Sequence, residues 1–309
     1  MKGIVVKSTG SWYLVRTEDG KILECRIKGV LRIHGIKSTN PVAVGDRVSF
    51  EMENDEKGII SGVEERKNYI IRRSTNLSKQ TQILAANIDM AYLFATVINP
   101  RTSEGFIDRF LMTAEAYSIP ATIIINKKDI YDKSGLEFAE HLLKIYSGIG
   151  YPAMLLSTLN AGDVKALIQL CKGKVNLFAG HSGTGKTTML NSMEPSFSLK
   201  TGIISEAHFK GKHTTTFAEM HALSEGGYVI DTPGIKEFGI VHVEKNELSH
   251  FFPEIFKTSP ECKFTTCLHV NEPKCAVIRA VEEGKIAVSR YNSYLNIISG
   301  TELDKEYSD

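Results

Sequence analysis

No stretch of this sequence approaches the roughly 18 to 20 consecutive apolar residues that a bilayer-spanning helix needs. The start, Met1-Lys2-Gly3-Ile4, lacks the apolar stretch and cleavage site of a secretory signal. There is no excess of charge of one sign either: Lys and Arg number 37, Asp and Glu 36, a formal net charge of +1. That balance excludes an unselective polyanion binder and leaves any nucleic-acid affinity to local patches. Cysteines are few and odd in number, five in 309 residues, which argues against a secreted disulfide framework. Internal repeats are lacking, and 42% hydrophobic with 24% charged residues is the make-up of folded protein, not of disordered or collagen-like chains. These absences predict a cytoplasmic protein with no membrane partner.

At this length two or three domains are expected. Residues 1–72 read as short strands broken by turn signals: Gly3 to Lys7, Trp12 to Thr17, Ile22 to Ile27, Asp46 to Met52 and Gly58 to Val63. Five such strands fit an OB-fold, though other small β-barrels share the count. Over 73–239 apolar strands alternate with helical stretches, which predicts a parallel sheet covered by helices. The strands are Met90 to Val97, Ala121 to Ile125, Ala153 to Leu156, Val175 to Ala179 and Tyr228 to Ile230, with an edge candidate at Phe217 to Leu223. Helical spacing covers Ile107 to Tyr117, Leu136 to Tyr146, Val164 to Leu170 and Lys186 to Met193. Residues 240–309 carry a Cys/His cluster and helices at Ala276 to Glu283 and Ser289 to Ile298.

The strand Val175 to Ala179 runs into Gly180-His181-Ser182-Gly183-Thr184-Gly185-Lys186-Thr187, a Gly-x4-Gly-Lys-Thr phosphate loop, followed by Thr188 and a helix. Its glycines let backbone N–H groups wrap a phosphate, and the helix N-terminus adds positive potential. Lys186 reaches the β/γ oxygens and Thr187 offers a hydroxyl to Mg²⁺. Such a loop leaves ATPase, kinase and GTPase open. Asn126-Lys127-Lys128-Asp129, at the end of an apolar strand, narrows the choice. The Asp129 carboxylate can accept from guanine's ring N–H and exocyclic amine, a donor pair adenine lacks; the Lys127 stem would cover the base, and Asn126 would hold the loop against the phosphate loop. Ser157 and Thr158 can support the base from the next strand end, where α/β sheets bind ligands. Asp231-Thr232-Pro233-Gly234 follows the strand at Tyr228, so Asp231 can hold Mg²⁺ and the Gly234 N–H can meet a γ-phosphate. Thr214, Thr215 and Thr216 lie where a switch threonine would reach that ion, and His213 beside them is the candidate for a catalytic role.

The base-reading loop precedes the phosphate loop, the reverse of an ordinary GTPase, so the domain reads as circularly permuted. Because Gly234 is followed so closely by the C-terminal module, nucleotide state is expected to move that module. Within it, Cys262-x4-Cys267-x-His269-x5-Cys275 supplies three thiolates and one imidazole, the number and softness tetrahedral Zn²⁺ prefers. Four protein ligands leave no open position, so the zinc would be structural.

Together these motifs, with Gly211-Lys212-His213-Thr214-Thr215-Thr216, Glu272-Pro273 and Val44-Gly45-Asp46-Arg47-Val48, resemble one family across nearly the whole chain. It is that of the circularly permuted, small-subunit-dependent GTPases known as RsgA, YjeQ or YloQ. The resemblance implies a multi-domain α/β protein: an N-terminal OB-fold, a circularly permuted P-loop GTPase domain and a C-terminal helical zinc-binding domain. It also implies GTP/GDP, Mg²⁺ and one Zn²⁺ as cofactors, and the small (30S) ribosomal subunit with its 16S rRNA as partner in late maturation. No DNA partner is expected, and the chain is taken as a monomer. Departures are small: His181 and Thr184 stand where Gln and Val are expected, and Thr187 where Ser is commoner. Ile235 follows Gly234 where Ras-like enzymes carry a water-orienting Gln, so slow intrinsic turnover is expected. Two readings stay open, a subunit-stimulated GTPase and an rRNA-binding assembly factor that uses GTP/GDP occupancy as a switch. Arg26, Lys28, Arg32, Arg66, Lys67, Arg72 and Arg73 could form phosphate-binding patches, with Trp12, Tyr13 or Phe50 for stacking; such charges by themselves usually mark a solvated face, and it is the resemblance that implies rRNA contact.

Overall fold

A computed structural model of the chain describes residues 1–27, 41–73, 81–197, 218–231 and 243–300. Its first five strands are β1 (Lys2–Ser8), β2 (Tyr13–Thr17), β3 (Ile22–Ile27), β4 (Arg47–Met52) and β5 (Lys57–Val63). Alternate residues point inward along β2 and β3, as a half-buried strand requires. Val5, Tyr13, Val15, Leu23, Cys25, Val48, Phe50 and Ile60 form their common core. The strands run β1-β2-β3-β5-β4, β3 and β5 are parallel, and β4 returns to β1 with Lys2 opposite Ser49. Closure removes the open edges. Of the small barrels the strand count allowed, this is the OB-like one.

A hairpin follows that the strand pattern did not anticipate: β6 (Tyr69–Arg73) pairs antiparallel with β7 (Thr81–Ala86). It grips the barrel at Val44-Gly45-Asp46. The Ala86 N–H donates to the Val44 carbonyl at 2.8 Å, and the Asn87 amide donates to the Gly45 carbonyl at 3.0 Å. Gly45 has φ +90°, and a Cβ there would collide with the Ala86 carbonyl, so the close approach requires glycine. The fully buried Asp46 takes both the Nε and an Nη of Arg66, at 2.7 and 2.6 Å.

The central domain contains β8 (Met90–Ala95), α1 (Glu104–Ala116), β9 (Ala121–Ile125), α2 (Lys133–Gly148), β10 (Ala153–Leu155), α3 (Ala161–Cys171), β11 (Val175–Ala179), α4 (Lys186–Met193), β12 (Glu219–Ala222) and β13 (Tyr228–Asp231). The strand order is β10-β9-β8-β11-β13-β12, parallel throughout except for β12. β8 and β9 are covered on both faces, hence their unbroken apolar runs. β12 also meets β1, with Lys7 opposite Glu219, so the barrel and the central domain share one 11-stranded sheet.

The C-terminal module has α5 (Pro253–Thr258), α6 (Ala276–Glu282) and α7 (Val288–Ser299). Its core, around Leu248, Phe252, Ile255, Val277, Tyr294 and Ile298, takes in Met112 from α1. Arg290 of α7 is 1% exposed and is paired with Asp108 of α1 at 2.8 Å and Glu254 of α5 at 2.7 Å, its guanidinium over the Phe252 ring. The Tyr146 hydroxyl donates to the same Asp108 at 2.9 Å. Among the described residues no helix is long and apolar enough to cross a membrane.

Candidate nucleotide site and metal centre

Four loops at the carboxyl ends of β9, β10, β11 and β8 meet at Asn126, which is fully buried. Its amide donates to the Thr184 carbonyl of the phosphate loop at 2.8 Å and lies 3.5 Å from the Thr158 hydroxyl, while its oxygen accepts the Thr158 N–H at 3.2 Å. Its own carbonyl accepts from the Tyr131 hydroxyl, whose oxygen in turn receives the Val97 N–H at 2.9 Å. Burial raises the Tyr131 pKa, so the phenol keeps the proton it donates. Neither Tyr131 nor Val97 was singled out by the sequence; only the segment after β8 folding against the base loop brings them together.

Gly185, at φ +94°, caps α4, and a Cβ on it would fall against the Asn126 amide. Lys186 folds its ammonium back onto the carbonyls of Gly180 and His181 at 2.7 and 2.6 Å, spanning the loop a phosphate would fill. Thr184 is fully buried and its hydroxyl donates to the His181 carbonyl at 2.9 Å, so it braces the loop from behind. Ser182 and Gly183 lie exposed at the loop's tip. Lys186, Thr187 and Thr188 form the first turn of α4. The His181 ring stacks on Phe106 of α1 with centroids 3.8 Å apart.

Lys127 adopts a left-handed conformation (φ 67°) and sends its ammonium to the Asn99 carbonyl, so its stem bridges the base loop and the 97–102 segment. Asp129 accepts from the buried Ser157 hydroxyl. Asp231 ends β13 opposite Phe178, two residues before the phosphate loop. His213, Thr214, Thr215, Thr216 and Gly234 lie outside the described residues, as do Lys28 and Arg32. For Mg²⁺, Thr187 in the first turn of α4 and Asp231 at the end of β13, which pairs with β11, are residue types whose oxygens suit this hard cation.

The expected RNA-contact set divides. Arg66 is committed to Asp46 inside the protein, Arg26 pairs with Glu53 and Lys67 with Asp89. Tyr13 and Phe50, each 1% exposed, are core residues and unavailable for stacking. Trp12, 38% exposed with the Lys57 ammonium 5.5 Å from its ring, remains available.

The Cys262, Cys267, His269 and Cys275 ligand atoms all lie within 4.8 Å of one another. The sulfurs of Cys262 and Cys275 are 3.9 Å apart, and His269 Nδ1 is 3.6 and 3.5 Å from them. Zinc–sulfur and zinc–nitrogen bonds of about 2.3 and 2.0 Å at tetrahedral angles give edges of about 3.8 and 3.5 Å, so the donor set fits the ion. His269 presents Nδ1 because Nε2 is engaged by Ser259 at 2.9 Å. Glu272 receives the N–H groups of Leu268, Val270 and Asn271 and shapes the ligand loop; partial burial would raise its pKa, but these donors hold it below the usual range. Burial pushes the Cys267 thiol up to about 12, so a thiolate there calls for a cation's charge.

With the base loop on β9 ahead of the phosphate loop on β11, and both at the carboxyl edge of one sheet, the central domain is a circularly permuted P-loop GTPase fold. Profile comparison matches residues 63–241 to RsgA GTPase and residues 2–60 to the RsgA N-terminal domain. The chain is 53% identical over 305 residues to the small ribosomal subunit biogenesis GTPase RsgA of Bacteroides fragilis, covering 99% of this chain and 98% of that one. A relative of the same name from Flavobacterium johnsoniae is also 53% identical, over 98% of this chain and 94% of its own. Two crystal structures are similar over 97% of this chain. YjeQ from Thermotoga maritima is matched over 97% of its own length with TM-score 0.78 and 35% identity. YloQ, described as a circularly permuted GTPase, is matched over 94% with TM-score 0.74 and 31% identity. This chain belongs to the RsgA GTPase family.

Proposed function

We propose that this chain is a GTPase of small-ribosomal-subunit biogenesis, hydrolysing GTP to GDP and phosphate under stimulation by the small (30S) subunit late in that subunit's maturation. The observation that carries the reading is the Asn126 junction, which ties the base loop, the Ser157-Thr158 loop and the phosphate loop into one cradle. Relatives that cover almost the whole chain bear the name of such a GTPase.

In this reading Asp129 pairs with guanine's two donors, Lys127 covers the ring, and Ser157 and Thr158 close the base side. Backbone N–H groups from Gly180 to Thr188 surround the phosphates, and Lys186 turns from its carbonyl partners to the β/γ oxygens. Thr187 and Asp231 would hold Mg²⁺, which would supply positive charge against the phosphates. The Gly234 N–H meets the γ-phosphate, and Thr215 and His213 serve the switch. Water adds to the γ-phosphorus, the bond to the β–γ bridging oxygen breaks, and GDP keeps the electron pair. Ile235 has no group to orient that water, so the subunit completes or orders the site.

Residues 1–72 form the 16S rRNA-facing barrel with Trp12 as a stacking platform, 73–239 the GTPase domain and 240–309 the zinc domain. The protein works in the cytoplasm as a monomer. The test is GTP hydrolysis with and without small subunits, with large subunits and ATP as controls. A large increase confined to GTP and small subunits is expected; a rate indifferent to subunits would overturn the assembly role.

A further inference from the structure

Asp163 lies in the first turn of α3, where its N–H donates to the cap residue Asn160 at 3.1 Å. Its carboxylate is turned toward the base loops. The same Oδ2 accepts the Ser157 N–H at 2.8 Å and the Lys128 ammonium at 2.7 Å. Ser157 donates its hydroxyl to Asp129, and its oxygen also receives the Leu159 N–H at 3.1 Å. Lys128 occupies the variable position of Asn-Lys-x-Asp, and its N–H donates to the Leu156 carbonyl at 3.2 Å. One carboxylate therefore fastens both loops that frame the base, one through a backbone N–H and the other through a charged side chain. The Asp163 side chain is 21% exposed and that of Lys128 35%, so the pair is only partly screened by water.

We propose that Asp163 is a positioning residue for guanine selectivity: by holding Ser157 and Lys128 together, it sets the angle at which the Asp129 carboxylate meets the base. The inference rests on the guanine reading of Asp129. Reading guanine's N–H and exocyclic amine together requires both carboxylate oxygens in register with two donors, and this geometry is lost when either loop rotates. The phosphate loop makes none of these contacts with Asp163 and meets the Ser157-Thr158 loop through Asn126, so the effect of Asp163 falls chiefly on the base.

The probe is the ratio of dissociation constants for GDP and IDP, whose base lacks the exocyclic amine. Parent protein binds GDP more tightly. In Asp163→Ala the preference falls roughly tenfold, about what one charge-supported hydrogen bond contributes, because GDP loses register with two donors and IDP with the ring N–H alone, so IDP weakens less than GDP. Asp163→Asn, which still accepts from Ser157, and Lys128→Met, which removes the other arm, each lose part of it, and either serves should the alanine variant fail to fold. Equal weakening of GDP and IDP, or an unchanged ratio in the folded variants, would overturn the proposal. An Asp129→Asn control separates the two levels. If it does not weaken the preference for GDP, the guanine reading itself fails and this inference with it; if it does while the Asp163 and Lys128 variants keep the parent's ratio, only the positioning role fails.

Discussion

At Asn126, a methyl group in place of the amide would strand the Thr184 carbonyl and the Thr158 N–H in a site without exposure to water. Asn126→Ala is expected to cost about 1–3 kcal/mol of stability, read by denaturant unfolding of nucleotide-free protein, and to weaken GDP and GTP alike. Asp89 tests electrostatics at the same level of detail. Burial would raise its pKa, but the Lys67 ion pair and the Val175 N–H at 2.7 Å outweigh that and hold it below the usual aspartate range. Its folded-state pKa lies under its unfolded one, so its stabilisation is full above that ordinary range and disappears as pH falls through the folded value. The stability gap between parent and Asp89→Asn should therefore be open near pH 7 and close as the pH falls below the ordinary aspartate range. Residue type alone misassigned Arg66, Tyr13 and Phe50: a basic or aromatic side chain looks the same in sequence whether it meets RNA or, as here, Asp46 and the barrel core.

Among the secondary elements, three helices start three residues earlier than apolar spacing suggests, at Glu104, Lys133 and Ala161 instead of Ile107, Leu136 and Val164. Ser103, Asp132 and Asn160 cap those first turns through their side-chain oxygens, a polar signal that apolar periodicity does not register. The β6–β7 hairpin was missed for a related reason: its partner surface is the backbone at Val44, which no periodicity announces. The ligand loop Cys262–Cys275 has little apolar content of its own, and its order comes from Glu272 and from the hydroxyls of Tyr291 and Tyr294 on the carbonyls of His269 and Leu268. Removing zinc with a chelator should raise amide exchange across residues 262–278 and lower the unfolding temperature, while leaving exchange in β8, β9 and β11 unchanged.

Across the whole molecule, α1 is shared property. Phe106 meets His181 of the phosphate loop, two residues later Asp108 holds Arg290, and Met112 enters the C-terminal core. The expectation that nucleotide state moves the C-terminal module was built on the link after Gly234, part of which lies outside the described residues; α1 offers a second route that is fully in view. Exchange in residues 288–299 is expected to differ between GDP and a non-hydrolysable GTP analogue, and Phe106→Ala to shrink that difference while the zinc loop stays protected. No difference between the nucleotides would count against coupling by either route.

The Gly180–Thr187 and Asn126–Asp129 runs and the Cys/His cluster were visible in the chain because each is a local run of residues whose chemistry demands that spacing, and the α/β rhythm because burial on both faces leaves unbroken apolar strands. The strand order β1-β2-β3-β5-β4 that picks the OB-like barrel, the Lys128–Asp163 pair and the Arg290 joint depend on partners far apart in sequence, 36 and 182 positions in the last case, which only folding brings into contact. Contacts of that range leave no periodic trace, because each partner sits in its own element under that element's local rules.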